Sequence, residues 1–161
     1  MAARQDVGGV ERESAALRAI AGGDEAKKLS SPLFPVSDTL QVAALWLSGK
    51  EAGAKGDIDA MVAQLEKAVA AEDAIPYMEP SYWPLPIRPT LGAALVQKGE
   101  LARAEAVFRE DLKRWPRNPW SLFGLEAALR GQRQHQSADL VRREFDRSWD
   151  KADTNLDLGW F

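Results

Sequence analysis

The chain has no cysteine and a single histidine, His135, among its 161 residues. Without cysteine there is no disulfide, no thiolate nucleophile and no sulfur-ligated metal. A lone histidine lacks the partner that a metal site or a general-base arrangement normally supplies. Long apolar runs are also missing, and none approaches the roughly 20 residues that cross a bilayer. Charge of one sign is not in excess: 21 basic residues face 24 acidic ones, for a net charge of −3. There is therefore no global attraction to nucleic acid or to anionic membranes. Residues 1–9 lack the apolar stretch of a signal peptide. That tilts the expectation toward the cytoplasm, and in a fragment of a longer protein it carries no weight. What remains is 45% hydrophobic and 28% charged, and long enough to bury a proper core. Six tryptophans are many for this length. Three of them, Trp83, Trp115 and Trp120, lie in or beside connections between helices.

Two stretches match each other at an offset of 34 residues: Leu91 with Leu125, Leu95 with Leu129, Ala104 with Ala138. A repeat of this length marks a helix–turn–helix unit that buries its apolar face only by stacking on neighbours. A looser upstream copy carries Gly49, Gly56-Asp57, Leu65 and Ala68, with Met61 and Ser48 at positions filled by Ala104 and Leu91 downstream. Gly49 and Gly92 stand 43 residues apart, nine more than one repeat. The excess falls in an insertion over residues 73–87.

In Leu91-Gly92, Gly99-Glu100, Ala104, Phe108 and Pro116 the chain resembles the tetratricopeptide repeat family. The downstream copy departs from the pattern at Glu126 and at Arg133-Gln134. The end of the chain also resembles the C-terminal part of longer bacterial repeat proteins, in which a Trp/Pro-rich insert precedes Leu-Gly-Ala-Ala-Leu. The resemblance implies an all-α fold: a right-handed α-α superhelix of about three helix pairs, with a short N-terminal helix and a Pro/aromatic-rich insertion loop. The repeats fall at about 38–72, 88–116 and 119–150, within a single domain, 1–161. The implied function is a non-catalytic scaffold that holds a peptide or protein segment on its concave face. The alternative is an assembly or self-association element of a larger protein.

The local signals agree with helices. Residues 1–9 read as a frayed end. A first helix over Val10 to Ile20 has Ala15, Ala16, Leu17 and Ile20 as its apolar stripe, and Gly22-Gly23 ends it. Ser37-Asp38 offers an N-cap for a helix running to about Lys55. Gly56 closes that helix, and Asp57 caps a partner that buries Met61, Leu65, Ala68 and Val69. Four prolines in residues 76–86 forbid a helix there, and Tyr77, Tyr82 and Trp83 predict an ordered loop packed on helices. Helices follow from Pro89-Thr90 to Lys98 and from Leu101 to about Trp115, the latter with Asp111 at the edge of the core. Two more run from Trp120 to Arg130 and from Ser137 to about Asp150. The last presents Ala138, Val141, Phe145 and Trp149.

No group of residues reads as catalytic or cofactor-binding, and none as a metal site. His135 falls in a polar turn. Glu110-Asp111 and the pair Asp150 and Asp153 read as solvated helix carboxylates. Asp153, Asn155 and Asp157 lack the glycine and distal glutamate of a calcium loop. Lys113, Arg114, Arg117, Arg130 and Arg133 sit near helix C-termini, where the helix dipole favours cations, and do not form the broad basic stripe of a nucleic-acid binder. The expected partner is a protein or peptide, not nucleic acid or a membrane. In the family geometry the first helix of each pair lines the concave side. That places Trp46, Lys50, Thr90, Gln97, Phe123 and Arg130 at the partner surface, with Ala93 and Ala127 beside them. The competing reading has Trp46 and Phe123 buried against a neighbouring helix or the proline-rich loop, with the groove filled by the protein's own tail at Trp160-Phe161.

Overall fold

A computed structural model describes residues 6–31, 33–76 and 78–161; Tyr77 lies outside them. Among the described residues there are eight α-helices and no β-strand, only an isolated bridge between Ser31 and Phe34. The chain divides into two compact units, with the division between Ile87 and Arg88.

The first unit holds α1 (Val7–Ala21), α2 (Asp24–Leu29), α3 (Val36–Ala54) and α4 (Ile58–Ala74). Helix α1 starts earlier than the glycines at 8 and 9 led us to expect, because Asp6 caps it through a 2.9 Å bond from the Gly9 amide. Its inward face is also not the expected stripe. Ser14 and Ala21 are buried, whereas Ala15, Ala16 and Ile20 are exposed. Small Ser14 and Ala21 allow close approach to α3, and Arg18 on the same face reaches across to it. Helix α3 begins at Val36, and its N-terminus is satisfied by a residue outside the helix. The Ser37 amide donates to Ser30 Oγ at 2.7 Å, and that hydroxyl donates to the Ala26 carbonyl. Helix α4 buries Met61, Val62, Leu65 and Ala68, so Val62 takes the inward position expected for Val69, which is half-buried. In the insertion loop, the Tyr82 hydroxyl donates to the Leu33 carbonyl. Trp83 packs on Trp46 of α3 with ring centres 6.3 Å apart.

The second unit holds most of α5 (Ile87–Lys98), then α6 (Leu101–Arg114), α7 (Pro119–Gly131) and α8 (His135–Ser148), and ends in a 3-10 turn, Leu158–Trp160. Asn118 caps α7 by accepting from the Trp120 amide, with Pro119 at the first helical position. Helix α8 begins at His135, two residues before the expected start, so His135 sits in its first turn. Asp111 is not at the edge of the core but inside it, fully buried.

The three long pairs, α3–α4, α5–α6 and α7–α8, close their first helices with the same turn. In each, one amide bonds five residues back and its predecessor bonds three back. These are Asp57 to Ala52 and Gly56 to Gly53, Glu100 to Leu95 and Gly99 to Val96, Gln134 to Leu129 and Arg133 to Arg130. This is the Schellman arrangement, which needs a left-handed residue at its centre. Gly56, Gly99 and Arg133 all have positive φ, at 78°, 85° and 62°. The first two pairs also share a core contact. A Cβ on Gly49 would lie 2.9 Å from Leu65 Cγ, and one on Gly92 would overlap the ring of Phe108. The third pair lacks this contact. Its equivalent positions hold Glu126, which pairs with Arg130, and Arg142, whose guanidinium lies 5.2 Å above the Phe145 ring.

Candidate functional site

Two regions carry the candidate residues, one in each unit. In the first unit α3 presents two faces. Trp46 and Lys50 belong to the face turned toward the insertion loop. Trp46 is half-buried against Trp83, and burial lowers the pKa of Lys50. The opposite face forms the floor of an open cleft of about 560 Å³ between α1 and α4. Gln41, Ser48 and Glu51 line it from α3, Arg18 from α1, and Ala60 and Gln64 from α4.

The charges of this cleft are organised around Glu51. Its carboxylate accepts from Lys55 at 2.8 Å, one helical turn on, and from Arg18 at 3.2 Å. Lys55 also pairs with Glu11 at 2.9 Å, and Arg18 donates to Ser48 Oγ at 3.1 Å. The bond from Lys55, then Ser14 and the nearby positive charge, lower the Glu51 pKa to about 2. The i,i+4 spacing of Glu51 and Lys55 is visible in the sequence. Arg18 and Glu11 lie more than 30 residues away on α1 and join the network only through the fold.

In the second unit Thr90 and Ala93 are buried within α5, and Gln97 is exposed near its end. Arg130 is exposed on α7, but its guanidinium is engaged by Glu126 and, at 2.9 Å, by Asp139. Two acidic partners raise its pKa further. Phe123 is half-buried in an aromatic group with Phe145, Trp120 and Trp149, set against buried Leu122. The residues after α8 fold back onto this group. Leu156 is buried against Leu122 and Phe145. Phe161 is buried edge-on to Trp120, with centres 5.1 Å apart, and stacks on Phe123 at 6.4 Å and 23°. The Trp149 indole donates to the Thr154 carbonyl at 2.7 Å, and Asp157 caps the closing turn through the Gly159 amide. Asp157, weighed above as part of a calcium loop, thus spends a carboxylate oxygen on the backbone. Leu156 was not among the expected residues, and Phe161 entered only in the competing reading, as part of a tail that fills the groove. The apolar ending Leu158-Gly159-Trp160-Phe161 is the signal that marks Phe161, and Leu156 stands two residues before it.

Among the described residues no three or more His, Asp or Glu side chains converge as metal ligands, and no helix is long and apolar enough to cross a membrane. Comparisons of the chain with protein-family models, with curated proteins and with solved structures found no match.

Proposed function

We propose that the protein is a non-catalytic interaction scaffold of tetratricopeptide type, its helix pairs stacked in a superhelix, that binds an extended protein segment. The observation that carries this reading is the recurrence of one turn in three helix pairs, together with the matched contacts of Gly49 with Leu65 and Gly92 with Phe108. Stacked pairs of this kind present grooves between helices. The cleft over α3 supplies what a peptide backbone needs: the side-chain amides of Gln41 and Gln64, and a small-residue floor at Ala44 and Ala52. The half-buried Trp46 and Lys50 lie on the other face of α3, under the loop. The binding surface in this unit is therefore assigned to the Gln41 face.

The test is selection from a displayed random-peptide library on the immobilised full chain, beside a Gln41→Trp/Gln64→Trp variant that fills the cleft. The expected result is an enriched consensus whose binding falls at least tenfold in the variant, with the thermal melt unchanged. No consensus, or a consensus indifferent to the variant, overturns the reading.

A second reading, self-association, is favoured by one observation. Leu29, Leu33 and Phe34 are 66%, 67% and 64% exposed within six residues of sequence, and exposed apolar side chains that join into a patch mark association surfaces. Sedimentation equilibrium over a hundredfold concentration range tests it. A constant monomer mass removes it.

A further inference from the structure

We infer that the aromatic surface of α7 and α8 is a docking site for a short segment with an aliphatic residue and an aromatic five positions apart, and that the protein's own residues 154–161 are its resident, displaceable occupant. The inference rests on the second unit alone and is independent of the cleft over α3.

The seated tail displays the chemistry that the surface accepts. Leu156 enters between Leu122 and Phe145. Phe161 enters between Trp120 and Phe123, edge-on to one ring and stacked on the other. These are the offset geometries that aromatic rings prefer. A 3-10 turn capped by Asp157 sets the spacing between the two anchors. The Trp149 indole reads a backbone carbonyl, at Thr154, and so places no demand on side-chain identity there. Two apolar anchors, one main-chain hydrogen bond and a local turn form a recognition pattern for a short linear segment.

Between these anchors most of the described tail faces solvent. Residues 150–155 are all exposed, as are Asp157 and Gly159, and Leu158 is only half-buried. Among the described side chains of the segment, those of Leu156 and Phe161 are buried and offset part of its ordering. The tether adds to these contacts, since a short linker gives an intramolecular ligand an effective concentration of order millimolar. A segment of the same chemistry on another molecule competes against that concentration, and weakening either anchor opens the site.

The experiment measures binding of a fluorescently labelled synthetic peptide, Thr154 to Phe161 in sequence, to the full chain by anisotropy. Three proteins are compared: the unmodified chain, Phe161→Ala, and Phe161→Ala/Phe123→Ala. Leu156→Ser serves as a second release variant, and circular dichroism melts accompany each protein. The inference expects Phe161→Ala and Leu156→Ser to remain helical and to bind the peptide at least tenfold more tightly than the unmodified chain. It also expects the added Phe123→Ala to remove that gain, and a scrambled peptide not to bind. Three results overturn it. The release variants melt out together, making the tail an integral part of the core. They stay folded and bind no peptide. Or the unmodified chain forms concentration-dependent dimers while no variant binds peptide, which would mean tails exchanged between copies.

Discussion

The carboxylate of Asp111, in the last turn of α6, accepts a 2.6 Å hydrogen bond from the hydroxyl of Ser121 in the first turn of α7. The same oxygen accepts from Asn118 Nδ2 at 2.8 Å, while the other end of that amide caps α7. One buried acid thus ties the end of one helix to the beginning of the next. Its pKa is raised. Desolvation dominates, and the bonds from Ser121 and Asn118 and the charges of Arg88 and Arg114 only partly oppose it.

Asp111→Ala should destabilise the second unit by about 1–3 kcal/mol, because two donors lose their buried acceptor. Asp111→Asn keeps an acceptor oxygen and removes the charge, so it should cost less than the alanine. The pH dependence has a definite sign. A carboxyl whose folded pKa exceeds its ordinary 3.8 binds more protons in the folded state. Its contribution is favourable below that value and is lost as pH rises through the folded pKa. Urea denaturation from pH 3 to 7 should show this loss in the unmodified protein and not in Asp111→Asn.

Glu51 behaves in the opposite sense. The Lys55 bond leads the effects that lower its pKa from the ordinary 4.5 to about 2. The stability it contributes is present above pH 4.5 and is lost as pH falls toward 2. Amide exchange of α3 at pH 3 and pH 6 should show this part of the acid weakening. Glu51→Gln should be weaker than the unmodified protein at pH 6, and the difference should narrow toward pH 2. A difference that does not narrow would mean that the cost of the substitution does not come from the ionised carboxylate.

Phe108 is fully buried, and a Cβ on either Gly92 or Gly124 would overlap its ring. Gly92→Ala and Gly124→Ala should each cost about 1–3 kcal/mol by overpacking. Phe108→Leu should relieve the cost of either, since it removes the atoms that collide. A double-mutant cycle measured by urea denaturation checks the coupling. Additive losses would place the glycines away from the ring.

These residues also mark what the sequence can and cannot convey. Gly92, Ala104 and Phe108 declare a close helix contact by residue type and spacing alone. Gly124 does not, because its role depends on how far α7 is rotated against α6. A helix start set by a local signal, such as the Asp57 cap of α4, fell where expected. The start of α3 did not, because its cap is Ser30, seven residues upstream of the amide it satisfies. The inward face of α1 was misjudged for a related reason. Alanine and serine bury well only where a partner helix comes close, and hydrophobicity alone favoured Ile20. Phe123 was legible as a surface aromatic and the apolar tail as a candidate to cover it, but the choice between a partner and Phe161, 38 positions away, belongs to the tertiary fold.

The last prediction concerns the shared turn. Gly99 and Arg133 occupy the same position in it, both left-handed, at φ 85° and 62°. A Cβ at Gly99 meets no atom within 4 Å, so a substitution there acts through the backbone alone. Side chains other than glycine pay roughly 1–2 kcal/mol to stay left-handed. Gly99→Ala should therefore destabilise by about 1 kcal/mol. Arg133→Gly removes that strain from the third pair, but glycine also loses more conformational entropy on folding. The net gain should be smaller, about 0.5 kcal/mol. Urea midpoints of the two variants should move in opposite directions. If Arg133→Gly moves the midpoint down instead, the exposed Arg133 side chain contributes more to the second unit than the strain of its backbone costs.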